Sequence, residues 1–325
     1  MQSLHRRSFL RLLTATATLA LVCGTGPALA QVKGLEIIAP ASPGSGYDQA
    51  SRAMQLVLQE AGLASGIQVQ NIPGGGGTIG LAQFVTAKKR SPTLLTIGFT
   101  LAGAVILNKS PVSLDDAKPL ALLYREYEAL AVPGNSDIKT AADLMAKLKA
   151  DPGSVSWGLG SAGGIDHINA GLIAKTAGVD PAKLRAVHFA GGGEQIAAAL
   201  GGHVTVAIGG LAEFLPQVEA GGLRLIALSA PERLPGLDVP TLREQGIDVA
   251  LPTWRALMAS PRMSEADRKE VADAIAKMAA TPAWKAVLAK NSWQDAYLPA
   301  DGFAAFLDEQ QALIAAALKD LGLAQ

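Results

Sequence analysis

The chain has 325 residues, with 28 Lys and Arg against 28 Asp and Glu and a hydrophobic content of 49%. That balance excludes a protein held on nucleic acid or an anionic membrane by a basic field, and a single cysteine excludes a disulfide-stapled scaffold or a multi-cysteine metal site. So apolar a chain of this length buries a sizeable core and is expected to form two domains.

Residues 1–30 read as an export signal: Arg6, Arg7 and Arg11 with no acid, an apolar run over 12–22, and Ala28-Leu29-Ala30 as an A-x-A cleavage site. The paired arginines of HRRSFLR are similar to the twin-arginine variant. Roughly ten apolar residues are too few to span a bilayer, which needs about twenty. The only cysteine, Cys23, lies inside this leader, and Val22 spoils a lipid-attachment box. A soluble periplasmic protein is expected. The 28 basic residues less the three leader arginines, against 28 acids, leave it a charge of about −3.

Beyond the leader, short β-like runs meet glycine clusters and then stretches of helical period, the pattern of α/β units with parallel strands. Residues 35–39 run into PGSG (43–46) and a helix over 48–61; residues 67–72 run into PGGGG (73–77) and a helix over 79–87; a strand follows over 93–99. The run 128–132 ends in Pro133-Gly134 and leads to Thr140 and Asp143 at capping-box spacing, which marks the crossing into a second domain. There the cycle repeats: 155–157, the loop GLGSAGGIDHINAG (158–171) and a helix to Thr176; 185–189, Gly191 to Gly193 and a helix to Leu200; 204–208 and Gly209-Gly210. A strand over 223–228 precedes a proline-rich connection over 231–240, read as the return to the first domain. After Trp254 the chain reads as mostly helical: Ser264 caps a helix with Val271, Ile275 and Met278 on one face, Thr281-Pro282 opens another, and Asp301 precedes a last helix through Leu318.

The loop at 158–171 contains GxGxxG, but so does GGGTIG (75–80) in a chain with 35 glycines, and Asp180 is the one acid near the spacing a ribose would require. A nucleophile elbow fails because Leu159, not glycine, stands two before Ser161. GxxxxGK[ST] and HExxH are absent and the four histidines are scattered. No enzyme, cofactor or metal is expected. What recurs is strand, Gly/Ser/Thr turn and helix, at 43–48, 73–80, 160–167 and 190–194. Such turns present unpaired N–H groups at the positive end of a helix, a ready anion site, although each also reads as an ordinary tight connection. The turns at 43–48 and 160–167, one per domain, suggest a shared cleft for a small carboxylate. Asp48 in a first helical turn either caps that turn or meets the ligand through water.

The segments PASPGSGYDQASRAM, NIPGGGGTIGLAQFV, GSAGGIDHINAGLIAKTAGVDPAKL, FAGGGEQIAAALGGHV, PTLREQG and TWRALMASP resemble successive motifs of the tripartite tricarboxylate transporter receptors, the extracytoplasmic solute-binding family also called Bug proteins. The resemblance runs from about Leu35 to the C-terminus and is nearest the tricarboxylate-type members. It implies an α/β fold of periplasmic-binding-protein type II, two lobes with a hinge and a ligand cleft between them. Lobe 1 would comprise 31–131 plus 230–325 and lobe 2 would comprise 132–229, with hinge segments near Leu130 to Pro133 and Leu225 to Ser229. It also implies a monomer that closes on a tri- or dicarboxylate and delivers it to two integral membrane subunits, with a receptor docking on a sensor kinase as the alternative. By motif, the first ligand loop is Gly44, Ser45, Gly46, Tyr47 and Asp48, and the second is Ser161, Ala162, Gly163, Gly164 and His167. Thr100, Phe189, Gly191, Gly192, Gly209 and Gly210 would complete the lining. The chain departs from the family at Ser45, where glycine is usual, at Tyr47, where tryptophan is common, and at Phe189, where tyrosine is frequent.

Overall fold

The computed structural model describes residues 31–89 and 91–324, so the expected leader lies outside the described residues. The elements run β1 (Val32–Lys33), β2 (Glu36–Ala39), α1 (Gly46–Glu60), β3 (Ala64–Ser65), β4 (Gln68–Asn71), α2 (Thr78–Thr86), β5 (Thr93–Gly98), α3 (Phe99–Leu107) and β6 (Lys118–Pro133). Then come α4 (Ala141–Ala150), β7 (Ser156–Leu159), α5 (Ile165–Thr176), β8 (Arg185–His188), α6 (Gly192–Leu200), β9 (Val206–Gly210), α7 (Leu211–Glu219) and β10 (Leu223–Leu228). The chain closes with β11 (Pro252–Ala259), α8 (Glu265–Ala280), α9 (Pro282–Lys290), β12 (Gln294–Pro299) and α10 (Ala300–Asp320).

Several helix starts form for the reasons legible in the chain. Thr140 and Asp143 make a reciprocal capping box on α4, Ser264 caps α8, and Thr281 caps α9 with Pro282 in its first turn. Val271, Ile275 and Met278 are buried together on α8.

The strands join in the order β4-β2-β5-β11-β6-β9-β7-β8, with β10 and β12 also paired to β6. β2 is parallel to β4 and β5, and β7 is parallel to β8 and β9. Between these parallel halves β11 and β6 run antiparallel to their neighbours. Strand β6 belongs to both halves: from Lys118 to Tyr127 it pairs β11, and from Glu128 to Ala131 it pairs β9.

Each half is covered on both faces because successive strand residues point to opposite sides. On the first half, Ile37 packs beneath α1, α8 and α9 with Trp284, while its neighbour Ile38 packs with Phe84, Leu101, Trp254 and Phe303 from α2, α3, β11 and α10. On the second, Leu130 and Val132 pack with α4, α5 and Trp157, whereas Ala129 and Ala131 pack with α6, α7 and Phe214. Residues after β10 join this second group: Ala230, Leu234 and Val239 on one face, and Leu242, Ile247 and Val249 on the other.

The expectation of a mostly helical chain after Trp254 is met by α8, α9 and α10, but it missed β11, which lies in the middle of the sheet, and β12. All residues of β11 from Thr253 to Ala259 are buried. A strand covered on both faces loses its alternation and is indistinguishable in sequence from a short buried helix. Among the described residues, no helix is long and apolar enough to cross a membrane.

Candidate functional site

Five strands run at their C-terminal ends into helices: β2 into α1, β5 into α3, β7 into α5, β8 into α6 and β9 into α7. In α/β sheets this edge is where ligands bind, and here the five helix N-termini converge. One small cavity of about 60 Å³ is lined by Gly46 and Tyr47 of α1, Thr100 of α3, Ile165 and Asp166 of α5, Gly192 and Gln195 of α6, and Glu213 of α7. Connecting residues Ala41, Ser45, Gly160, Ser161, Phe189, Ala190 and Gly191, with Gly209 and Gly210 of β9, Glu128 of β6 and Arg255 of β11, complete its wall. The cleft is bridged in this conformation: Ser42 N donates to the Ala190 carbonyl at 3.4 Å, Ser42 Oγ to Glu194 Oε1 at 3.3 Å, and Ile165 N to Thr100 Oγ1 at 3.5 Å.

Of the residues mapped from sequence, the structure brings Ser45, Gly46, Tyr47, Thr100, Ser161, Phe189, Gly191, Gly192, Gly209 and Gly210 to this wall. Gly44, Asp48, Ala162, Gly163, Gly164 and His167 are not in it. Their absence has local causes. Asp48 accepts the Gly44 N–H at 2.9 Å and an Arg52 N–H at 2.8 Å, while Ser45 Oγ accepts the Asp48 N–H at 3.3 Å. The Asp48 carboxylate is thus consumed by its own turn. Burial works to raise its pKa, but Arg52, the Gly44 N–H and Asn71 outweigh that and hold it below the usual carboxylate range. Gly44 has φ 82°, a conformation that side chains disfavour, so its role is to make this turn. His167 Nδ1 accepts the Gly163 N–H at 3.2 Å, and its ring stands edge-on to His188 with centroids 5.0 Å apart. Burial, then the neighbouring His188, push its pKa down to about 4, so it is neutral.

The unforeseen part of the wall is ionisable. Arg255 is 6% exposed and pairs with Glu126 at 2.9 Å; its guanidinium lies 5.0 Å from the Tyr47 ring centroid. Trp293 Nε1 donates to Glu126 at 2.9 Å. Burial opposes the charge of Arg255, yet Glu126, followed by the phenols of Tyr124 and Tyr47 and by Glu213, raises its pKa. Tyr47 Oη accepts the Leu101 N–H of α3 at 3.0 Å, and burial pushes that phenol up to about 12. Asp166 accepts the Gly160 N–H at 2.6 Å but is still raised by burial. Glu128 is 1% exposed and raised well above its ordinary range by burial and by the charges of Asp166 and Glu126. Glu213 is pushed up to about 8 by burial and by Glu126, against the opposing pull of Arg255 and the Gly46 N–H.

Glu213 and Arg255 also explain three glycines. A Cβ on Gly192 would collide with Glu213 Oε2, one on Gly46 would collide with the Arg255 guanidinium, and one on Gly210 would come 3.1 Å from Glu213 Oε1. The open space that the sequence assigns to an approaching ligand oxygen is here occupied by side chains of the chain itself. Asp166 and Arg255 lie within motifs quoted for the resemblance, GGIDH and TWRAL, and that was the available signal for them. Glu128 and Glu213 carry none, because only tertiary packing buries them. Among the described residues no cluster of His, Cys, Asp and Glu could hold a metal ion.

The sequence model of the tripartite tricarboxylate transporter family receptor matches residues 51–323. The chain is 28% identical over 268 residues to protein BugT of Bordetella pertussis, covering 76% of this chain and 81% of that one. In fold it is similar to an R. palustris protein solved with adipate, at TM-score 0.81 and 18% identity over 90% of this chain and 98% of the other. It is also similar to MatC from Rhodopseudomonas palustris with bound malate, at TM-score 0.78 and 19% identity over 88% and 99%. The fold is therefore the two-lobed α/β fold of periplasmic binding proteins, and the chain belongs to the family of tripartite tricarboxylate transporter receptors, which are substrate-binding proteins and not enzymes.

Proposed function

We propose that the protein is a periplasmic receptor that captures a small di- or tricarboxylate between its lobes and delivers it to the two membrane subunits of a tripartite transporter. The observation that carries this reading is the convergence of five helix N-termini, two from one half of the sheet and three from the other, on one partly open cavity. Each brings backbone N–H groups and a partial positive charge, which suit a carboxylate without requiring a free cation. The family relationship and the malate and adipate of the two fold relatives support the same ligand class.

In this reading Ser45, Gly46, Tyr47, Thr100, Ser161, Phe189, Gly191, Gly192, Gly209 and Gly210 meet the ligand, and Gly44, Asp48, Ala162, Gly163, Gly164 and His167 hold the two turns in shape. The lobes open and close about the strands that join them, and the ligand stabilises the closed form because only there do both sets of N-termini reach it. The change of partner strand between Tyr127 and Glu128 supports a first hinge slightly before Leu130 to Pro133. The packing of Leu242, Ile247 and Val249 supports a last crossing near residues 250–252. Calorimetric titration of the purified protein with citrate, tricarballylate, succinate, malate and adipate tests the function. Saturable binding of at least one is expected; binding of a neutral sugar and of no carboxylate would overturn the reading.

A further inference from the structure

Glu128 of β6, Asp166 of α5 and Glu213 of α7 line the cavity that the preceding reading assigns to a carboxylate, and Glu126 of β6 pairs at 2.9 Å with Arg255, the one cation in the wall. The other titratable groups that face them are Tyr47 of α1 and Tyr124 of β6; α3 brings Thr100, and α6 and β9 bring only Gln195 and glycines. Were all four acids ionised, the guanidinium would offset one and leave three close negative charges, which a small buried site does not sustain. The geometry shows how the excess is removed. The Glu128 carboxyl is buried, no N–H or hydroxyl among the described residues donates to its Oε2, and its hydrogen-bond partner is the Asp166 carboxyl. Two carboxyls bond each other only through a proton, because an ionised carboxylate has none to donate. Asp166 also accepts the Gly160 N–H at 2.6 Å, and Glu213, pushed up to about 8 by burial and then by Glu126, faces the Gly46 N–H.

We infer that these three acids meet the ligand as proton-bearing donors, Glu213 and the Glu128–Asp166 pair giving O–H hydrogen bonds to its carboxylate oxygens, so that the receptor takes up its ligand together with a proton. The inference rests on the cavity being a carboxylate site. The proton comes from solvent and stays on the acid oxygen; the ligand stays ionised and none of its bonds breaks. Each negative charge that the ligand brings makes ionisation of the neighbouring acids costlier, so ligand and proton favour each other's binding to the same degree. Arg255 Nε is buried and, among the described residues, has no partner. It is a donor whose charge does not titrate, so it adds affinity at every pH and takes no part in this linkage. Affinity for a fixed carboxylate therefore falls as pH rises through the range in which the empty receptor loses its protons.

Malate, succinate, adipate and tricarballylate stay ionised from pH 7 to pH 9, so a change in their binding over that range reports the protein. Calorimetric titration is expected to give at least tenfold weaker binding at pH 9 than at pH 7, the ratio for a single acid titrating near 8 that must be protonated in the complex. At pH 8, titration in two buffers of different ionisation enthalpy should show a net uptake of about half a proton or more. Glu213→Gln and Glu128→Gln, whose amides donate without titrating, are each expected to shrink the ratio, and the double variant to bring it below threefold, with folding checked by thermal midpoint at both pH values. Equal affinity at pH 7 and pH 9 in the parent, with no proton taken up, overturns the inference and leaves the carboxylate receptor standing. A tenfold ratio that persists in the folded double variant overturns the assignment to these acids. Should the variants not fold, the proton count of the parent decides. If none of the four compounds binds at pH 7, the carboxylate reading falls and the inference with it.

Discussion

At Gly192 a single hydrogen separates a working cleft from a blocked one, because a methyl group there falls on the Glu213 carboxylate. The residue begins α6 with helical backbone, so alanine suits the chain locally and the cost is confined to the cavity. Gly192→Ala should weaken ligand binding at least tenfold by calorimetry and also lower the thermal midpoint, since both Gly192 and the Glu213 carboxyl it would displace are buried; equal affinity would show that Glu213 moves aside freely. Asp48 makes the opposite case, an acid in the first turn of α1 whose carboxylate is held by Gly44 N and Arg52. Asp48→Ala removes the acceptor for Gly44 N and Arg52 and should cost about 1 kcal/mol in urea unfolding without ligand. Because its folded pKa is depressed, the stability that Asp48 contributes is present above its unfolded value and disappears as pH falls through the folded one. A variant as stable as the parent, with binding lost, would return Asp48 to the ligand. The glycines and hydroxyls of the wall were legible because turn chemistry is local. Glu128, Glu213 and Arg255 were not, since a charged residue in sequence reads as solvent-facing and nothing local says that five helix ends enclose it.

Elements divided along the same line between local and tertiary information. Units such as β10 and the starts of α4, α8 and α9 follow from apolar runs and caps within a few residues. Strand β6 did not: sixteen residues long, it was read only over 128–132, because Arg125 and Glu126 interrupt the apolar pattern before that run. One of those interruptions, Glu126, is buried and pairs with Arg255 of the cavity wall, so a feature that hid the strand also holds the charge of the site. Helix α3 carries a related signature at Gly103, a poor helix former in mid-helix. A Cβ at Gly103 would strike the Gly163 carbonyl, which belongs to the turn before α5 on the other half of the sheet. Gly103→Ala should therefore leave the open form intact, or stabilise it by up to about 1 kcal/mol through helix propensity, and oppose closure. The expected result is affinity at least tenfold weaker together with loss of ligand-induced compaction in small-angle scattering; an alanine variant that compacts like the parent would show that these elements separate in the bound form.

For the whole molecule, the enclosed acids make stability a function of pH, and the sign can be worked out. Glu213 titrates near 8 in the fold against an ordinary 4.5, so between those values the folded state retains a proton that the unfolded chain has lost. Stability contributed in this way is complete below pH 4.5 and is lost as pH rises towards 8. Glu128 and Asp166 are displaced in the same direction. His167 acts oppositely: held neutral with a pKa of about 4 against 6.5, it costs stability as pH falls through that window and nothing above it. Above pH 6.5 only the acids remain in play, and each proton fully retained is worth about 1.4 kcal/mol per pH unit. The thermal midpoint of the ligand-free protein should consequently fall from pH 6.5 to 8, and Glu213→Gln, which carries no proton to lose, should flatten the decline; a midpoint constant over that range in the parent would mean that water reaches these carboxyl groups.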